Sequence, residues 1–164
     1  SDSGFFGFER VDSDTFKIAS ELCELGASPN NTYNALKNGN SLSKIRLLQK
    51  GLDSLTLHSD GRCGIMILKE EDFKSSGALR GDCDGLVNYP LSISCVKLAI
   101  LLREEDSEEV RISFRSKESL NTNLIANKFD GGGHINASGA TVKNRKIEDI
   151  KSEILKYLEG FFDG

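Results

Sequence analysis

Long apolar runs are missing from these 164 residues. The longest, Gly64 to Leu68 and Val96 to Leu102, fall far short of the roughly 20 residues that cross a bilayer, so no membrane association is expected. Proline is scarce, with 2 residues, and the balance of 38% hydrophobic to 28% charged residues excludes a disordered or fibrous chain and predicts a soluble globular one. An excess of positive charge is also missing. A formal charge of −4 argues against a chain that coats long nucleic acid, which needs many Lys and Arg contacts to phosphate, so an anionic ligand must be held by a local site. No CxxC pair occurs among Cys23, Cys63, Cys83 and Cys95, and 2 histidines add little to a zinc set, so free buried thiols are expected. A basic start followed by an apolar run and a cleavage site is lacking, which makes the cytoplasm the expected compartment. The opening Ser1-Asp2-Ser3-Gly4-Phe5-Phe6 has no initiator Met and reads as a loop leaving a strand, so the natural chain is expected to extend upstream.

What is there reads as interleaved helices and strands. Ser13 ahead of Ile18, Ala19, Leu22 and Leu25, with Asp12 and Asp14 as capping or first-turn charges, predicts a capped helix over 14–25 ended by Gly26, and Ser28-Pro29 opens a second short helix. Ser41 caps a third, whose apolar face is Leu42, Ile45, Leu48 and Leu52. Near residue 55 the pattern changes to a hairpin, 55–58 and 63–68 around Ser59-Asp60-Gly61. Residues 82–96 read as a loop with a helical turn, and 96–102 with 110–115 as a second hairpin that delivers Arg115 at its end. A helix over 121–129, a strand at 140–142 and a terminal helix over 147–162 follow. Such interleaving predicts an α/β fold, a mixed β-sheet flanked by helices.

The chemistry concentrates in Phe129-Asp130-Gly131-Gly132-Gly133-His134-Ile135-Asn136-Ala137-Ser138-Gly139-Ala140. Three successive glycines cost backbone entropy, and backbone without Cβ atoms can approach a ligand closely. Successive N–H groups opening onto a helix start would form an anion nest with His134 at its mouth, while Ala137 and Gly139 keep the path clear. Arg115 suits a bidentate phosphate fork. Arg80 and Lys128 have no local pattern behind them as further anion contacts, His58 reads as a solvated turn residue, and Glu104 to Glu109 reads as a solvated hairpin loop.

GGGHINASG resembles the GGGHxxAAG signature of the domain associated with DHH phosphoesterases. Ile112-Ser113-Phe114-Arg115-Ser116 is similar to that family's arginine-bearing strand, and Asp84-Gly85-Leu86-Val87-Asn88-Tyr89-Pro90 is similar to the preceding segment in the nano-RNase and pAp phosphatase branch. The opening SDSGFF resembles that branch's last metal-binding motif. The resemblance implies that residues 1–40 are the tail of the DHH catalytic domain, 41–54 a linker helix and 55–164 the associated substrate-binding domain. It further implies an Mn2+-dependent phosphoesterase acting on short single-stranded RNA and on pAp, with a homodimer as a candidate assembly. By the same comparison Arg115, Ser116, Gly131, Gly132, Gly133, His134 and Ala137 would bind substrate, and Asp2 would be one metal ligand. No complete catalytic set is present, because the family's Asp-x-Asp, middle Asp and Asp-His-His motifs are not in this chain; alone it is expected to bind no metal pair and to be inactive. Ser138 replaces the second alanine of the signature, and Leu91 stands where related sequences carry a basic residue. Exopolyphosphatases, cyclic-dinucleotide phosphodiesterases and RecJ-like exonucleases share similar glycine signatures, and a related domain serves as a binding module in alanyl-tRNA synthetases.

Overall fold

The structure, a computed structural model, describes residue 6 and residues 11–37, 40–105, 108–118 and 120–162, with the backbone alone at 36 and 37. Asp2 and the rest of the SDSGF opening lie outside the described residues. The chain divides into two compact units, Ser1–Asn40 and Ser41–Gly164. No helix among the described residues is long and apolar enough to cross a membrane.

The first unit holds α1 (Ser13–Glu24) and α2 (Pro29–Lys37). The cap of α1 is Asp12, not Ser13: its carboxylate accepts from the Thr15 N–H at 2.9 Å, and the Thr15 hydroxyl lies 3.5 Å from the Asp12 N–H to close the box. A carboxylate accepts more strongly than a hydroxyl and complements the helix dipole, so the helix starts one residue earlier than the serine suggested. Those bonds, led by the Thr15 N–H, hold the Asp12 carboxyl below its ordinary range. Gly26, at φ +96°, ends the helix in the left-handed region.

The second unit is built on a six-stranded sheet in the order β1-β2-β3-β4-β6-β5. Its strands are β1 (Thr56–His58), β2 (Cys63–Leu68), β3 (Leu98–Glu104), β4 (Glu109–Ser116), β5 (Gly132–His134) and β6 (Ala137–Lys143). β2 and β3 pair in parallel and every other neighbouring pair is antiparallel. The parallel pair sits at the centre of the fold, covered on both faces, which is why CGIMIL and LAILL read as unbroken apolar runs.

One face carries Ile65, Leu98, Ile100, Leu102, Ile112 and Phe114. Against it pack α5 (Asn123–Ala126), Phe129 and α6 (Ile147–Leu158), the latter through Ile147, Ile150, Ile154 and Leu158 at helical spacing. On the other face Met66, Leu68, Ala99 and Leu101 meet a second layer made by α3 (Leu42–Asp53), α4 (Glu70–Ser76) and 3-10 turns at Arg80–Cys83 and Leu86–Ser92. Ser41 caps α3 as expected, its hydroxyl accepting from Lys44 N–H at 3.1 Å. The expected apolar stripe of that helix is rotated, however. Leu47 and Gly51 are buried and Leu48 half-buried, while Leu42, Ile45 and Leu52 are exposed, and Gly51 is the point at which the helix lies against Met66 and Leu68.

This second layer thins beyond β3, where its 3-10 turn at Leu86–Ser92 still reaches β4. Along β4, Val110, Ile112 and Phe114 point into the first core, and Arg111, Ser113 and Arg115 alternate onto the opposite face. The acidic segment after β3 is not a free solvated loop either. Glu104 accepts from the Glu70 N–H at 2.9 Å, Glu105 pairs with Arg103 and Arg80, and Glu109 pairs with Lys143 at 2.7 Å. The cysteines are all free, but Cys23 and Cys95 are exposed; only Cys63 and Cys83 are buried, and burial pushes the Cys63 thiol up to about 12.

Phe114 is fully buried at the middle of β4, between β3 and β6. Phe114→Ala should therefore lower the unfolding free energy by about 3–5 kcal/mol in urea denaturation. A loss below about 1 kcal/mol would place the core elsewhere.

Candidate anion-binding site

Over β4, β5 and β6 the sheet face holds a shallow cavity of about 690 Å³. Its floor is set by register: Arg111 lies opposite Thr141, Ser113 opposite Gly139, and Arg115 opposite Ala137. Small residues on β6 thus leave room above the strand, and the arginines of β4 rise beside them. Arg115 is half-buried and donates to the Phe114 carbonyl at 2.8 Å. Burial lowers its pKa from the ordinary arginine value, yet a guanidinium stays charged, so this is a desolvated cation without a carboxylate partner among the described residues.

The glycine run has a different local structure from the expected nest. Gly132–His134 is the edge strand β5, antiparallel to β6, and no helix starts at His134. The tight Ile135–Asn136 turn sends the chain straight back along itself, so alternate N–H groups of β5 face the β6 ladder, and the Gly131 N–H donates to the Ala126 carbonyl at 3.0 Å. Close approach explains most of the glycines. A Cβ at Gly131 would overlap the Gly139 carbonyl oxygen and lie 2.6 Å from the Ala140 Cβ. At Gly133, φ +150°, it would lie 2.5 Å from the Ala137 oxygen, and at Gly139 2.8 Å from the Ile112 oxygen. Gly132 is the exception: a Cβ there would meet only Asn123 Oδ1, at 3.7 Å. That oxygen is itself buried and has no hydrogen-bond partner.

Of the residues singled out in the sequence, Arg115, Gly131, Gly132 and Ala137 line the one cavity. Gly133 continues β5, and His134 follows it, exposed on the edge strand. Ser116 is committed to the fold, donating to the Leu120 carbonyl at 2.6 Å and lying 3.0 Å from the Asn136 amide nitrogen. Ser138, the departure from the signature, is buried and donates to Thr122 Oγ1 at 2.8 Å; Thr122 in turn donates to the Ile135 carbonyl at 2.9 Å, tying the β5–β6 turn to α5. Leu91 packs against the second core. Arg80 is not at the cavity: it pairs with Glu70 and Glu105 and lies 4.1 Å over the Phe73 ring. Lys128 sits 5.3 Å over the Tyr157 ring. His58 ends β1 rather than lying in the turn; it is half-buried, 2.9 Å from Thr56 Oγ1, and desolvation followed by Lys151 pushes its pKa down.

Sequence reasoning missed Arg111, Ser113, Thr141 and Asp130, which also line the cavity. The period-two row Arg111, Ser113, Arg115 was the available signal; the facing of Thr141 depends on strand register alone. Among the described residues no group of three or more His, Cys, Asp or Glu could hold a metal ion, and Asp130 is the one carboxylate on the cavity wall. Among the described residues the cavity wall carries two guanidinium groups, Arg111 and Arg115, and one carboxylate, Asp130.

Residues 66–161 match the family model described as the DHHA1 domain. The chain is 30% identical over 141 residues to the bifunctional oligoribonuclease and PAP phosphatase NrnA of Bacillus subtilis, covering 86% of this chain and 44% of that protein. It is 27% identical over 158 residues to the protein of the same name from Thermus thermophilus, covering 95% and 46%. A crystal structure of an exopolyphosphatase-related protein from Bacteroides fragilis superposes with a TM-score of 0.90 at 30% identity, over 99% of this chain and 48% of that one. The chain thus spans about half the length of the relatives it matches.

The different surroundings of adjacent glycines make a sharp contrast. Gly131→Ala should cost more than about 2 kcal/mol of stability through backbone overlap, whereas Gly132→Ala should cost no more than about 1 kcal/mol. Chemical denaturation of both variants measures this, and equal losses would contradict the strand packing described.

Proposed function

Because this chain belongs to the DHHA1 domain family, we propose that it is the substrate-gripping part of a manganese-dependent phosphoesterase that degrades very short oligoribonucleotides and dephosphorylates pAp. The observation that carries this reading is Arg115, a half-buried cation with no counter-ion among the described residues, set beside the small-residue floor of an open cavity. A phosphate oxygen pair fits the guanidinium fork and offsets the desolvation that the empty fork suffers. Gly132, which packing does not require to be glycine, leaves space on the same wall for a sugar or base. The names of the Bacillus and Thermus relatives supply the substrate class.

In this reading the manganese ions belong to residues beyond those described, and the present cavity anchors the part of the substrate that is not cleaved. Holding that end fixes the scissile phosphate, which is how binding far from the reacting bond contributes to rate. The overall charge of −4 suits a ligand of few phosphates better than a long polyanion. A second reading, polyphosphate hydrolysis, is favoured by the likeness to the exopolyphosphatase-related protein of Bacteroides fragilis. Asp130 on the cavity wall opposes it, since a carboxylate there repels a chain made only of phosphates and accepts from the hydroxyl or amino groups of a nucleotide.

Titration of the chain with pAp by calorimetry should give a dissociation constant between about 10 μM and 1 mM, and Arg115→Lys should weaken it about tenfold by removing the fork while keeping the charge. With Mn2+ added, the chain alone should release no phosphate from pAp. Tighter binding of inorganic tripolyphosphate than of pAp would favour the second reading, and no binding of either at millimolar ligand would overturn both.

A further inference from the structure

We propose that Arg111 and Asp130 read the base of the gripped nucleotide and that they select guanine. The inference rests on the reading of the cavity as a nucleotide grip with one phosphate on Arg115, and it leaves the scissile phosphate outside the cavity.

Both residues stand at the end of the cavity away from Arg115. Arg115 lies opposite Ala137 on β6, and Arg111 lies opposite Thr141, about 13 Å farther along at the usual rise of a β-strand. On the other side of β6, His134 pairs with Ala137 and Gly132 with Gly139, and a Cβ on Gly131 would meet Ala140. Asp130 therefore falls at the Thr141 end, on the same cavity wall as Arg111 but across β6 from it, about two strand spacings or roughly 10 Å away. A nucleotide held by its phosphate on Arg115 lays its ribose over the floor at Gly139 and brings its base between Arg111 and Asp130.

Packing explains neither side chain. The cross-strand neighbour of Arg111 on β3 is Arg103, and like charges directly opposite one another destabilise a sheet. Arg103 is already paired with Glu105, while Arg111 is exposed and has no carboxylate partner among the described residues. Asp130 closes the 3-10 turn Asn127–Phe129 at φ +54°, a left-handed position that favours glycine, at a helical end that disfavours negative charge. Its carboxylate has no hydrogen-bond or ion-pair partner among the described residues. A cation and an anion held apart across one cavity suit a ligand edge with acceptors on one side and donors on the other. Guanine has that edge: O6 and N7 accept from a guanidinium fork, and N1–H and the N2 amino group donate to the two carboxylate oxygens. Adenine sets its amino group where Arg111 needs an acceptor and has one donor for Asp130, and uracil flanks its single N3–H with carbonyls that the carboxylate repels. pAp is still held, through its phosphate and that one donor, less tightly than its guanine counterpart.

The test is calorimetric titration of the chain with 5′-GMP, 5′-IMP and 5′-AMP. The parent should bind 5′-GMP about tenfold more tightly than 5′-AMP, with 5′-IMP, which lacks the N2 amino group, in between. Asp130→Asn keeps a residue that tolerates the left-handed backbone and exchanges one acceptor for a donor, which complements adenine N6 and N1. Its preference for 5′-GMP should fall to about twofold or less, and it should bind 5′-AMP more tightly than the parent does, a gain that damage to the fold would not produce. Arg111→Gln should move the preference the same way, because glutamine pairs with adenine N6 and N7 as arginine does with guanine O6 and N7. Arg115→Lys should weaken 5′-GMP and 5′-AMP alike. A parent that binds all three nucleotides equally, or an Asp130→Asn variant that keeps the full preference for 5′-GMP, would overturn the base reading and leave the phosphate grip standing. A parent that binds none of them at millimolar ligand would overturn the grip and the base reading together.

Discussion

Backbone lying directly against backbone at the β4–β6–β5 edge is the constraint on which the open half of the sheet depends. At Gly131, Gly133 and Gly139 any side chain would press into a neighbouring carbonyl or Cα, so the three strands can close only with hydrogen at those positions. The entropic cost of so many glycines is about 0.5–1 kcal/mol each relative to alanine. It is offset by a ladder that brings a bare, small-residue floor alongside β4. The same closeness makes the floor smooth enough for a ligand to lie on.

Charge is then distributed unevenly over that surface. Arg103 and Arg111 stand side by side across the β3–β4 pair, but the glutamate at 105 falls on the Arg103 side, where α4 and the 3-10 turns also bring Arg80 and Glu70. That end of the face is a closed network of opposite charges. Farther along the face Glu109 pairs with Lys143 and Asp130 lies on the cavity wall, while Arg111 and Arg115 have no carboxylate partner among the described residues. A chain of net negative charge thereby presents a local positive row on one strand.

Much of this was written in local sequence. The alternation of Glu109 to Ser116 shows which side chains of β4 share a face, the unbroken apolar runs of β2 and β3 announce strands covered on both sides, and Ser41 and Pro29 mark helix starts that the structure keeps. Local signals also misled where two residues competed for one role. Asp12 takes the cap ahead of Ser13, and α3 buries Leu47 and Gly51 while Leu42 and Ile45 stay outside.

The sequence by itself determined the element types, the α/β class and the concentration of chemistry around Arg115 and the glycine run, because propensity and periodicity act over a few neighbouring residues. Tertiary structure alone decided that the glycines form an edge strand instead of a helix-capping nest, since β5 meets β6 after the turn at Ile135 and Asn136 and the Gly131 N–H goes to the Ala126 carbonyl at 3.0 Å. It alone decided which glycines are obligatory, because the atoms that exclude a Cβ belong to Ile112, Ala137, Ser138, Gly139 and Ala140 on other strands. And it alone set Arg111 against Arg103 and left it facing the cavity, a matter of register between strands that no local pattern encodes.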